Sequence, residues 1–425
     1  IKPGEMSKTA IDAMLRQLDP YTVYYHESNM EDYRMMTTGQ YGGIGALIRK
    51  MGDYTYIAEP YEGKPAQLAG AMAGDKILSI EGKDMKGKPS DDVSDALRGP
   101  KGSTIQLRVE RAGQEKTISI TRDEIKLADV PYFGILGTST GYIKLNAFTQ
   151  TASAEVMAAY GKLKQQGMTS LILDLRGNGG GLLIEAVKIV NMFVKKGQTV
   201  VTTKGRIPEE NRTYATSAEP IDLNIPLVVL VDGGSASASE IVAGSLQDLD
   251  RAVIVGTNSY GKGLVQRTFD LKYGSKIKVT ISKYYTPSGR CVQRLEYYDK
   301  ELGDKPKAIA DSLLKTFKTA NGRKVIDGRG IEPDVVVEQN DYSRLLLMLV
   351  SNNVIFNYAT DFKRSHETIG PAKTFKMTPE EYDAFKAYAL KQTFTYSTAS
   401  EEQLERMKKT AEDEGYFEDI KADYE

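Results

Sequence analysis

The chain has no tryptophan, one cysteine and two histidines among 425 residues. A single cysteine, Cys291, allows no intrachain disulfide and no cysteine-rich zinc site. Two histidines, His26 and His366, leave little room for a His-rich metal site. They also leave few candidates for a Ser-His-Asp triad, which needs one correctly placed imidazole. A hydrolase built from these residues takes its base from another side chain. An excess of either charge is missing too. The 56 Lys+Arg against 57 Asp+Glu leave a net charge of −1, so no global field draws the chain to nucleic acid or an anionic membrane. No apolar run of about 18 residues occurs, so no membrane span is expected. No signal peptide is visible, and a leader removed or lying outside these residues fits a start at Ile1.

What is present is an ordinary globular composition, 40% apolar and 27% charged, sufficient for about two to four domains. Ile11, Met14, Leu15 and Leu18 follow helical spacing behind a cap at Ser7, and Asp19-Pro20 ends the helix. A second short helix is expected over 29–36. From about 41 to 122, short alternating segments separated by turns read as strands, with two short helices near Pro65–Leu68 and Ser90–Leu97. From about 139 the texture becomes α/β, with the almost wholly apolar strand Pro226–Val231 reading as buried on both faces. Gly328–Val337 reads as a last strand returning to this core. The C-terminal residues read as polar helices, with capping boxes at Thr378-Pro379-Glu380-Glu381 and Ser400-Glu401-Glu402-Gln403.

Three constellations carry chemistry. Gly234-Ser235-Ala236-Ser237-Ala238-Ser239-Glu240 lies between a buried strand and an amphipathic helix. Such a turn can present a serine hydroxyl, and the helix N-terminus adds free N–H groups for an oxyanion. Plain helix capping by serine explains the same residues. Tyr260-Gly261-Lys262-Gly263-Leu264-Val265-Gln266 sets a lysine at the mouth of a strand. If that strand is regular, Lys262, Leu264, Gln266 and Thr268 share one face. A lysine whose pKa falls from ~10.4 towards ~7–8 by burial can serve as general base. A hairpin turn with an exposed lysine is the alternative. Asp174-Leu175-Arg176-Gly177-Asn178-Gly179-Gly180-Gly181 lets backbone N–H groups approach an anion. It matches neither the P-loop nor the dinucleotide spacing, so an oxyanion or substrate-backbone role fits better than phosphate.

Together these blocks resemble the carboxy-terminal processing proteases, Ser-Lys serine peptidases that carry a PDZ domain. Leu18-Asp19-Pro20-Tyr21, Tyr41-Gly42-Gly43-Ile44-Gly45, Ala73-Gly74-Asp75-Lys76-Ile77 and Leu97-Arg98-Gly99-Pro100 match the entry and interior of that family's PDZ module. The three constellations, Tyr284-Tyr285-Thr286-Pro287-Ser288-Gly289-Arg290 and Gly330-Ile331-Glu332-Pro333-Asp334 match its protease core. One departure is Asn178-Gly179-Gly180, where many relatives carry Asn-Pro-Gly-Gly, and glycine at 179 should loosen that loop.

The resemblance implies an α+β multidomain fold. A helical N-terminal segment (1–36) and a PDZ domain (37–124) would precede an α/β, crotonase/ClpP-like protease core (125–337) and a helical C-terminal extension (338–425). It implies Ser237 as nucleophile, Lys262 as general base and Gln266 as the amide that orients the lysine. Ser235 and Ser239 are then turn and capping residues. The oxyanion hole would use the N–H groups of Ala238 and a glycine of 177–181, with Gly180 favoured. Gly43, Ile44, Gly45 and Ala46 would capture a substrate's terminal carboxylate, with Ile44 lining an apolar pocket, and Arg98 would couple the PDZ to catalysis. No metal or cofactor is needed. The expected partners are protein or peptide substrates with apolar C-terminal tails, not nucleic acid. The terminal helical segments suit homo-oligomerisation or adaptor docking, and a periplasmic or otherwise extracytoplasmic location is implied. The rival from another class is a PDZ peptide-binding scaffold with an inactive core.

Overall fold

Strand Leu227–Val231 (LVVLV) has no polar side chain, and such a strand needs cover on both faces. A computed structural model describes every residue except 1–2, 28–29, 299–302, 338–341, 367, 373, 393–397 and 425. It places this strand inside a sheet of order Tyr132–Leu136, Thr140–Lys144, Ser170–Asp174, Leu227–Val231, Val253–Gly256, Val335–Val336. The first pair is antiparallel and the rest are parallel. Helices Ala152–Gln165, Leu183–Asn191 and Ala238–Asp248 connect these strands. Their apolar residues Val156, Leu163, Val187, Val190, Ile241 and Leu246 join Leu171, Leu173, Val229 and Ile254 in one core. Ligand crevices in parallel sheets form beyond the carboxyl ends of the strands. Here the glycine run follows Asp174, and the serine turn follows Val231 on the neighbouring strand.

These elements belong to the first of two compact units, Ile1–Gly42 with Glu124–Gln339. The unit holds a second, antiparallel sheet. Lys276–Tyr285 pairs with Val23–Tyr25, Thr199–Gly205 and Leu264–Asp270, and Arg212–Ala215 extends it beyond Thr199–Gly205. Of these strands the sequence alone reads two, as Leu264–Leu271 and Ile277–Tyr284. The strand expected over Gly328–Val337 reduces to Val335–Val336, because Gly330-Ile331-Glu332-Pro333 runs as loop. The N-terminal helix spans Pro3–Arg16, so Ser7 lies inside it and is not its cap. The next helix is Met30–Thr38, and its expected start at Asn29 falls outside the described residues.

The second unit is Gly43–Asp123 with Asn340–Glu425. Its sheet has the order Ala46–Met51, Tyr54–Pro60, Lys76–Ile80, Thr104–Arg111, Gln114–Thr121, with Lys83–Asp84 on the Lys76–Ile80 strand. The period-2 burial of Thr104–Arg111 puts Ile105, Leu107 and Val109 inward, where they pack with Ile57, Ile77, Val93 and Leu97. Helices Pro65–Leu68 and Ser90–Leu97 fall where the sequence places them. Helices Arg344–Ser351, Val354–Ser365, Pro379–Leu390, Ala399–Asp413 and Phe417–Tyr424 complete the unit. Thr378 and Glu381 form the expected capping box. The box expected at Ser400 sits instead at Thr398, whose hydroxyl and N–H pair with Glu401. No described helix is long and apolar enough to cross a membrane.

The last residue of helix Ala238–Asp248 carries a buried ion pair. Arg290 and Asp248 approach to 2.9 Å, and Arg290 Nη2 donates to Gln247 Oε1 at 2.7 Å. Asp248 Oδ2 also accepts from Thr286 Oγ1 and Ser288 N. Removing one partner of such a pair strands a buried charge at a cost of ~3–5 kcal/mol. Asp248→Ala is therefore expected to lower the urea-unfolding free energy by about that amount, and a loss below 1 kcal/mol would show that the pair does not hold this corner together.

Candidate active site

The serine turn and the lysine loop meet around one carboxylate. Glu240 is 0% exposed. Its Oε1 accepts from Ser259 Oγ at 2.6 Å and Gly261 N at 2.7 Å, and its Oε2 from Ser237 N at 2.8 Å and Lys262 N at 2.9 Å. Burial pushes its pKa up and the four hydrogen bonds oppose that rise. Ser259 Oγ in turn accepts from Ile331 N at 2.6 Å, tying in the Gly330–Asp334 loop.

Ser237 stands at φ +57°, ψ −111°, a backbone conformation that side-chain-bearing residues rarely adopt. The turn over-determines it. The Ser237 N–H is held by Glu240, and its carbonyl accepts from the buried Tyr284 hydroxyl at 3.2 Å and from Ile241 N at 2.9 Å. Strain of this kind between a strand and a helix thrusts a side chain out of the turn. The neighbouring serines are occupied. Ser235 Oγ donates to Leu175 O at 2.8 Å, and Ser239 Oγ to Asn178 O at 2.9 Å, both buried. Ser237 is left as the serine that lines a cavity of about 510 Å³.

The other wall of that cavity is the glycine run. Asn178 is 0% exposed. Its Nδ2 donates to Leu145 O, its carbonyl accepts from Ala236 N at 3.0 Å, and its Oδ1 accepts from Gly180 N at 2.9 Å. Gly180 (φ +99°) lies so close to the serine turn that a Cβ there would sit 2.7 Å from Ala236 O and 2.9 Å from both Ser237 Cβ and Ala238 N. Only glycine fits this approach. The Gly180 N–H is thus already committed to Asn178, whereas the Ala238 N–H, first in its helix, has no partner among the described residues. Asp232 Oδ1 accepts from Gly177 N and Gly234 N, and so holds the two loops side by side.

Lys262 lines the same cavity and is partly buried. Desolvation lowers its pKa to about 8, helped by the charge of Lys278 and opposed by Glu240 and Asp19. Its Nζ lies 4.2 Å from the centroid of the Tyr21 ring. Among the described residues no hydrogen bond joins Nζ to Ser237. Gln266 also lines the cavity, but its Nε2 donates to Thr280 Oγ1 at 3.1 Å and makes no bond to Lys262. The regular strand expected from Lys262 to Thr268 is not found. The strand starts at Leu264, and a bulge between Val265 and Gln266 breaks the alternation. No group of three His, Cys, Asp or Glu side chains among the described residues is placed to hold a metal ion.

In the second unit, Ile44 and Gly45 lie between strands Gln40–Gly43 and Ala46–Met51, and Gly45 has φ +69°. Their carbonyls accept from Ala66 N and Tyr61 N. Ile44 is 3% exposed and packs in the core, so its side chain is not the open pocket wall expected of it. Arg98 is the half-buried C-cap of helix Ser90–Leu97.

Residues 139–297 match the model of peptidase family S41, residues 56–111 that of a PDZ domain, and residues 345–425 that of a probable PDZ-protease C-terminal helical domain. A carboxy-terminal-processing protease of Bartonella bacilliformis is 35% identical over 341 residues, 79% of this chain and 70% of that protein. The chain belongs to this S41 family of carboxy-terminal-processing proteases. A probable CtpA-like serine protease of Staphylococcus aureus is 37% identical over 328 residues, 76% of this chain. The chain spans 65% of the length of that curated relative. Among solved structures, a photosystem II D1 C-terminal processing protease aligns at 29% identity over 79% of this chain and 83% of its own, with a TM-score of 0.45.

For this S41 chain, sequence reasoning passed over Glu240 and Asn178 as site residues. The signal for Glu240 was present: Ser237-Ala238-Ser239-Glu240 is a capping-box pattern. Asn178 has no comparable signal, because two of its partners, Leu145 and Ala236, lie on other loops. Glu240→Gln would turn an amide N–H₂ towards donors. The expected result is a loss of about 1–3 kcal/mol of unfolding free energy and at least a tenfold fall in any cleavage rate; wild-type values for both would remove Glu240 from the site's framework.

Proposed function

We propose that the chain is a serine endopeptidase in which Ser237 Oγ attacks the scissile carbonyl and Lys262 Nζ takes the serine proton. The carrying observation is one cavity lined both by a strained serine and by a lysine whose pKa is lowered to about 8. A neutral amine can accept the proton, and the resulting ammonium can hand it to the leaving amine. Water, deprotonated by the same amine, then releases the acyl group. The oxyanion would be received by the free Ala238 N–H together with a donor of the glycine run. Gly180 can serve as that donor only by releasing Asn178. Gln266 would reach Lys262 by exchanging its bond to Thr280.

The base works when neutral, so the rate should follow the deprotonated fraction of Lys262. Below pH ~8, kcat/KM on an unfolded protein with an apolar tail should rise about tenfold per pH unit and then level off. Ser237→Ala and Lys262→Ala should each lose at least 10³-fold. Equal activity in wild type and both variants would refute the dyad, and a flat profile from about pH 5 to 9 would refute lysine as base.

We further propose that the second unit selects substrates by their C-termini through strand addition. The support is the loop Gly43-Ile44-Gly45-Ala46 at the start of an outer strand of its sheet. Amidating the substrate's terminal carboxylate should raise KM with little change in kcat. Unchanged KM would exclude carboxylate capture by this loop.

A further inference from the structure

Lys262 faces an element to which the Ser-Lys reading gives no part. After the N-terminal helix the chain turns on Asp19, which is 4% exposed. Its Oδ1 accepts from Tyr21 N and Thr22 N, both at 2.7 Å, and its Oδ2 from Thr22 Oγ1 at 2.9 Å. This turn fixes the Tyr21 backbone. The ring is braced by Tyr297, with centroids 5.9 Å apart, planes at 79° and hydroxyls 3.4 Å apart. Burial and the Tyr297 and Tyr260 hydroxyls push the Tyr21 phenol far above its ordinary pKa, so the ring stays neutral. Its face, the electron-rich side of the quadrupole, meets Lys262 Nζ at 4.2 Å.

We propose that Tyr21 is a positioning residue for Lys262: its ring is the platform that holds the protonated amine in the cavity between turnovers. The catalytic meaning rests on the Ser-Lys reading; the contact itself does not. A cation is drawn to the ring face and a neutral amine is not. Loss of the proton therefore frees Nζ to move towards Ser237, and uptake of the serine proton favours its return. The ring also opposes the groups that expel the proton. Around Nζ these are Lys278, on strand Lys276–Tyr285, and burial; Glu240 from its helix and Asp19 from its turn act with the ring, and Tyr260 and Tyr297 lie around the Tyr21 hydroxyl. The N-terminal segment thus supplies a side chain to Lys262, and Tyr33, Met35, Met36 and Thr37 of the same segment line the cavity.

The test is a series at position 21 that changes the ring's electrons and hardly its shape: Tyr21→Phe, then mono-, di- and trifluorinated phenylalanine. Each full-length protein is titrated by competitive acylation of Lys262, read by peptide mass spectrometry against pH. The Phe variant should keep the wild-type midpoint. Successive fluorines should lower it, by about half a pH unit or more at three, and the acid limb of kcat/KM should move with it. A midpoint that does not move with fluorination, or that moves as far in the Phe variant, overturns the platform. Tyr21→Leu should reach the trifluorinated value; because the fluorinated series retains the ring's packing, a folding failure of Tyr21→Leu does not decide the matter. The Lys262→Ala cleavage assay scores the dyad separately: cleavage by that variant removes lysine as base and leaves the acylation midpoints to judge the platform.

Discussion

A buried carboxylate with no cation paired to it among the described residues holds the site together. Taking Glu240 out of water is costly. The cost is offset by four donors, two on each oxygen, and those donors come from the Ser237 turn and the 259–262 loop. Neither loop can move without stranding a buried charge. The backbones of Ser237 and Lys262 are therefore fixed relative to each other by one group that itself lies outside the cavity lining. The lysine side chain is not bonded to that frame, and its tip lies over the Tyr21 ring. A fixed backbone frame with an unbonded lysine tip suits the proposed base, which would collect a proton at one place and release it at another.

The parallel sheet explains why a glycine run is needed. Strands Ser170–Asp174 and Leu227–Val231 are neighbours, so the loops leaving their carboxyl ends must share a crevice. Asn178 and Asp232 stitch those loops together, and glycine at 180 lets them touch. The same stitching consumes the hydroxyls of Ser235 and Ser239. What distinguishes Ser237 among three serines is that the hydroxyls of the other two are bonded to the buried carbonyls of Leu175 and Asn178.

The parts of this arrangement that were legible in the sequence are those with local causes. The apolar run ending at Val231, the alternation of the short strands within 41–122 and the Thr378 cap each follow from side chains within a few residues; the cap expected at Ser400 was two residues off. The strands at Val23–Tyr25, Thr199–Gly205 and Arg212–Ala215 were not legible, because they are short or polar; the first two draw their stability from a long partner, Lys276–Tyr285, and the third from Thr199–Gly205. The bulge before Gln266 likewise comes from pairing with that partner, yet Lys262, Leu264, Gln266 and Thr268, expected on one face, all line the same cavity. Ile44 looked like a pocket wall from its position between glycines and is core, a matter of which way one side chain turns. Tyr21 lies in a block that the sequence marked only as the entry to another domain. Its contact with a lysine 241 positions later, by subtraction of the two residue numbers, has no local signature.

The most direct measurement is covalent trapping of the nucleophile with a fluorophosphonate, followed by peptide mapping and by the rate of adduct formation against pH. The account expects a single adduct on Ser237, a rate that rises through pH ~8 as the Lys262 amine becomes neutral, and no adduct when Lys262 is replaced by alanine. An adduct on another residue, or a rate indifferent to Lys262, would contradict it.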